Sequence, residues 1–84
     1  MQSEPQTETE RELSFGEKAV GITFNPSANL EVDKIKQLFA NAIDVCNDLR
    51  GKSDNPEVKR MMSVAITEAQ TAQMWAVKAI TWKG

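Results

Sequence analysis

Histidine and tyrosine are absent from this 84-residue chain, and cysteine occurs once, as Cys46. The missing histidine removes the commonest general base and metal ligand, and with them every Ser-His or Cys-His nucleophile pair. One cysteine can form neither an internal disulfide nor a thiolate zinc cage. Cys46 falls on an apolar stripe and reads as inert core. No stretch approaches the ~18 apolar residues of a membrane span. The polar, acidic opening is not the basic-then-apolar pattern of a leader. These absences argue against an enzyme, a cofactor site or a membrane protein, and for a binding or assembly module.

What is present suits one small domain: 40% hydrophobic and 26% charged residues with a net charge of −2, a balance foreign to a wholly disordered chain. Charge is uneven. Residues 1–17 hold Glu4, Glu8, Glu10, Glu12 and Glu17 against Arg11 alone, which leaves the remainder mildly basic. Residues 1–13 have too little apolar surface to offset ordering and read as a mobile acidic tail. The body lacks the dense Lys/Arg face that duplex DNA recruits, whereas a small anionic ligand needs only two or three bases in one place.

The expected fold class is all-α: an antiparallel two-helix hairpin over residues 14–84, with a short N-terminal arm (14–28). Asn29 is a good N-cap, with Glu31 and Asp33 in the first turn. Val32, Ile35, Phe39, Ala42, Cys46 and Leu49 then recur at spacings of three and four. The first helix is expected over 29–50, with Gly51 in the usual left-handed C-terminal position. A polar turn, 51–55, leads to Asn55 as cap and Pro56 as first residue of a second helix running to 82. A short polar link between long helices makes an antiparallel pair.

In the second helix Ala65, Ala69, Ala72, Ala76 and Ala79 form a methyl seam, expected to pack on the first helix. Roughly opposite run Arg60, Ser63, Thr67, Gln70, Met74 and Val77 or Lys78, without a carboxylate. Such a face reads as a weakly polar solvent surface or as one meeting other subunits or lining a pocket. Trp75 is expected in the core. Met61, Met62, Val64, Ile66, Trp75, Ile80 and Trp82 point in too many directions for one partner helix. A lone hairpin of this size is rarely stable, so self-association into a helical oligomer is expected.

The arm contains Phe15, Val20, Ile22 and Phe24, with room for one helical turn before Gly21. Asn25-Pro26-Ser27 sets a turn through proline and side-chain-to-backbone bonds. The arm reads as a packed leader over the apolar seam or as a ligand clamp: Phe24 for stacking, Asn25 for base or ribose hydrogen bonds, Lys18 for phosphate.

The run Ser63-Val64-Ala65-Ile66-Thr67-Glu68-Ala69-Gln70-Thr71-Ala72-Gln73-Met74-Trp75-Ala76-Val77-Lys78-Ala79, with the turn Gly21-Ile22-Thr23-Phe24-Asn25-Pro26-Ser27, resembles a phage hairpin-domain family. Its members are small sponges that disarm the CBASS and Thoeris nucleotide-signalling defences of bacteria. The resemblance covers about residues 14–84. It implies a non-catalytic homo-oligomer, a hexamer built as a trimer of dimers, acting in the host bacterial cytoplasm without a cofactor. Its partners would be cyclic di- or trinucleotides or cyclic ADP-ribose isomers. A twofold dimer offers each half of a cyclic dinucleotide the same residues, and a threefold axis suits a cyclic trinucleotide.

The resemblance also implies site residues. Arg60, Ser63 and Thr67 would ring a threefold axis. Phe24, Asn25 and Ser27 would line a pocket between paired subunits, with Lys18, Lys34 or Lys36 supplying charge and Trp82 and Lys83 completing it. Members that stack bases on tyrosine differ from this chain, which has none. Two other readings stay open: a nucleotide-independent oligomerisation or adaptor protein, and, least favoured, a small enzyme degrading the signal.

Overall fold

The computed structural model describes residues 12–84, so all but the end of the expected acidic tail lies outside the described residues. The described residues form three helices and no strand: α1 (Phe15–Val20), α2 (Leu30–Lys52) and α3 (Pro56–Ile80). Among them no helix is long and apolar enough to cross a membrane. α2 and α3 are the limbs of the hairpin. Arg50 near the end of α2 bonds Ser63 near the start of α3. At the other end Val32 and Thr81 line one cavity, so the limbs are antiparallel.

The caps have the expected chemistry. The Asn29 side chain accepts from the Glu31 and Val32 amides, and that of Asn55 from Glu57 and Val58, each satisfying donors that a helix start leaves orphaned. The ends differ by two residues. α2 continues through Gly51 to Lys52, with extended Ser53 as its cap. A left-handed glycine is not needed there, because Lys59 Nζ donates to the Arg50 carbonyl at 2.9 Å. α3 stops at Ile80 rather than 82. The Thr81 hydroxyl takes the Val77 carbonyl at 2.8 Å, one of the local bonds by which threonine competes with a helix ladder.

α1 is longer than the single turn expected. Ser14 and Glu17 form a reciprocal capping box, and Gly21 closes the helix in the left-handed region at φ 63°. α1 lies on α2 backbone to backbone at Gly16. A Cβ at this position would sit 2.0 Å from the Ala40 carbonyl oxygen, so only glycine allows the approach. The Gly16 amide donates to Asp44 Oδ1 at 2.6 Å and locks the crossing.

Val20, Ala40, Ile43 and Ile66 form the buried core, with Ala19, Ile22, Phe39, Cys46 and Ala69 against it. Cys46 is therefore half-buried core. α3 meets α2 through a face different from the one expected. Its inward stripe is Met62, Ile66, Ala69, Gln73, Ala76 and Ile80, all buried or half-buried, while Ala65, Ala72 and Ala79 are exposed. Burying an isoleucine or methionine removes far more apolar area from water than burying an alanine, so the branched residues win the interior. Trp75 follows the exposed alanines outward and is 67% exposed, not in the core.

Candidate functional site

The arm turn is built by one side chain. Asn25 Nδ2 donates to the Asn29 carbonyl (2.8 Å) and to Asp33 Oδ1 (2.9 Å), and its Oδ1 accepts from the Asn29 amide and the Ser27 hydroxyl. These bonds fold residues 25–28 back onto the start of α2. Ala28 there takes φ 53°, a region that residues other than glycine seldom visit. The structure places the expected ligand groups Asn25 and Ser27 in the work of holding the turn.

Lys36 fastens the same segment from below. Its Nζ donates to the Gly21 and Phe24 carbonyls, and the residue is only 4% exposed. Burial lowers the lysine pKa below its ordinary value, against the opposing pull of the nearby Asp33 carboxylate. The backbone of the arm is thus pinned on both sides of Phe24. The Phe24 ring stands 71% exposed, with the Lys36 ammonium 5.5 Å from its centre.

Two cavities open beside this ring and share Phe24, Lys36 and Val77. One, of about 270 Å³, lies against Pro26, Val32 and Thr81. The other, of about 420 Å³, runs between Lys18 and Gly21 of the arm and Gln73 and Met74 of α3. Lys18, Phe24 and Lys36 are therefore brought together, and Asn25 and Ser27 line the first cavity. Gln73 and Thr81 are lining residues that sequence reasoning did not single out, whereas Met74 and Val77 stand on the carboxylate-free face read as a possible pocket wall. A signal for Gln73 was present: an amide stands in a stripe otherwise filled by Met, Ile and Ala.

Arg60, Ser63 and Thr67 follow one another along α3 but enter separate arrangements. The Arg60 guanidinium is exposed and holds Glu57 in a bidentate pair. That hydrogen bond lowers the Glu57 pKa and raises that of Arg60. Ser63 Oγ accepts from Arg50 Nη1 at 2.8 Å, while Arg50 Nη2 donates to Asn47 and the guanidinium lies 5.7 Å from the centre of the Phe15 ring. Arg50 is the cation that joins Ser63, though its place in the last turn of α2 reads from sequence as helix-end chemistry alone. Thr67 is exposed. Trp82 lies apart from the Phe24 cavities, in an apolar hollow with Trp75 and Ala79, with the Lys78 ammonium 5.8 Å from its ring.

This arrangement can hold an anionic, ring-bearing ligand. It offers an exposed aromatic face, an uncommitted lysine on α1, a buried lysine below, and apolar walls. Residues 17–81 match the family described as Acb2/Tad1, hairpin domain. No curated protein and no solved structure matches the chain.

Proposed function

The chain belongs to the Acb2/Tad1 hairpin-domain family, the sponges directed against CBASS and Thoeris defence, and from that premise we propose that it captures cyclic nucleotide messengers without cleaving them. Its ligands are cyclic di- or trinucleotides or cyclic ADP-ribose isomers, withheld from the immune effector in the host bacterial cytoplasm. The observation that carries this reading is the exposed Phe24 ring, pinned by Lys36 between two cavities, with Lys18 lining one of them. Bases stack on such rings whatever their identity, and ammonium groups form charge-assisted bonds to phosphate. Sequestration demands tight binding, and nanomolar affinity corresponds to about −12 kcal/mol.

Assembly completes the reading. Met61, Ala65, Glu68, Ala72, Trp75 and Ala79 along α3, and Trp82 just beyond its end, recur at alternating spacings of four and three, and all are exposed. This is the pattern by which one helix receives another. A second copy of the chain seated there covers both tryptophans. A hexamer, formed as a trimer of dimers, would give the Phe24 cavities a twofold setting and Arg60, Ser63 and Thr67 a threefold one. The same stripe fits an unrelated helical partner, which is the adaptor alternative.

The test is capture and release. Protein incubated with cyclic dinucleotides, cyclic trinucleotides and cyclic ADP-ribose isomers is freed of unbound ligand, heated, and its supernatant chromatographed. Recovery of an intact ring supports the sponge. A cleaved product points to an enzyme, and no bound ligand across the panel, with assembly intact, points to the adaptor.

A further inference from the structure

Gln73 is the one buried side chain of α3 that breaks the apolar stripe, and it is only 5% exposed. Its position falls between Ala69 and Ala76, where the pattern calls for an apolar residue. No described residue offers its amide a hydrogen bond, in contrast with buried Lys36, whose ammonium is committed to carbonyls. A buried amide without a partner is costly and uncommon in native proteins. Gln73 lines the larger Phe24 cavity, where the titratable groups are the two lysines Lys18 and Lys36. Two cations can meet its oxygen at best and leave its two N–H donors unserved.

The chemistry that completes a primary amide presents an acceptor beside a donor in one plane. Phosphate oxygens provide only acceptors. A nucleobase edge provides both, and adenine does so on each of its free edges, amino group beside N7 and amino group beside N1. Guanine offers such a pair where O6 lies beside N1–H, but its N7 edge has two acceptors, which an amide cannot match and a guanidinium can, so an amide that meets the N7 edge selects adenine.

We infer that Gln73 is the base-reading residue of this cavity and gives it a preference for adenine. The inference rests on the sponge reading and deepens it: the ring of Phe24 supplies a stacking face, Lys18 the phosphate contact, and the amide at the cavity wall the base identity. Replacing the amide by a carboxylate, which only accepts, inverts the code toward an edge with two adjacent donors. Guanine has that edge at N1–H and its amino group.

The experiment measures the affinity of the whole protein for cyclic diadenosine monophosphate and cyclic diguanosine monophosphate, with the mass of each assembly read alongside. Wild type is expected to bind the adenine ring roughly ten- to a hundredfold tighter than the guanine ring, the span of one good paired contact. Gln73→Leu loses most of that ratio with its assembly mass unchanged. Gln73→Glu moves the ratio toward guanine. Equal affinity of wild type and Gln73→Leu for the adenine ring overturns the assignment and leaves the sponge intact. So does a wild-type preference for the guanine ring. A Gln73→Leu protein of altered assembly mass shows instead that the amide serves a subunit contact. Failure of wild type to bind either ring while it binds another cyclic nucleotide refutes adenine reading alone; failure with every cyclic nucleotide removes the sponge reading as well.

Discussion

Gly16 is the residue on which the position of α1 turns. Its missing Cβ lets the helix backbone rest on the Ala40 carbonyl, and its amide reaches Asp44. Gly16→Ala is expected to cost about 1–3 kcal/mol, as overpacking does, or to lift α1 off α2. Thermal melting reads the first outcome, and faster hydrogen exchange in residues 15–24 the second. Lys36→Met removes the donor shared by the Gly21 and Phe24 carbonyls and should cost about 1–3 kcal/mol, as acceptors lose their partner. Ligand affinity should fall with it, because Phe24 is no longer held in place. Calorimetry at matched folding checks both.

The Arg60–Glu57 pair makes a prediction of opposite sign. If Arg60 contacts an anionic ligand in the assembly, the Glu57 carboxylate competes for it, and Glu57→Gln should tighten binding by roughly two- to fivefold, the range of an exposed ion pair. The Glu57 pKa lies below its ordinary value because Arg60 bonds the carboxylate. The pair therefore persists above the ordinary carboxylate pKa and is lost as pH falls through the lowered one. Wild-type affinity should approach that of Glu57→Gln as the buffer is taken to acid pH, and titration of both proteins tests it. None of these three residue roles was legible in full. Lys36 stood out as a nearby charge, but that its charge is directed at two backbone carbonyls depends on how the arm folds back, which local spacing does not encode.

At the scale of elements, polar punctuation was the legible part. Asn29, Asn55 and Pro56 act within a few residues of themselves, so the helix starts they specify appear where the sequence places them. The Ser14–Glu17 box is equally local and shows why α1 is a helix and not an irregular arm. Ser14→Ala should cost about 1 kcal/mol of stability, the usual value for losing such a cap, measurable by chemical denaturation. Helix rotation was less legible. The alanine repeat and the Met62–Ile66–Ile80 repeat share one period and overlap at Ala69 and Ala76, so spacing alone cannot choose between them. Side-chain volume decides, and turns Ala65, Ala72 and Ala79 outward.

At the scale of the molecule, the described residues have a small core and a large apolar surface without a partner among them. Ile43 is the sole large side chain that is fully buried among the described residues, while Met61, Met74 and Trp75 are exposed on α3, Trp82 just beyond it, and Leu38, Val45 and Leu49 on α2. Chains of this size usually need a metal, a disulfide or a partner copy to be stable, and the single cysteine forms no internal disulfide. Trp75→Glu places a charge in the middle of the exposed α3 stripe and should shift the assembly toward smaller species at equal concentration, as seen by light scattering. Thermal stability should drop in parallel, since mass action ties the two together.

Native mass spectrometry of the unaltered protein mixed with a panel of cyclic nucleotides addresses capture and assembly in a single spectrum. The expected result is a multi-chain species carrying one or more added masses equal to an intact cyclic nucleotide. A folded single chain that carries no added mass, whichever ring is offered, would contradict the account.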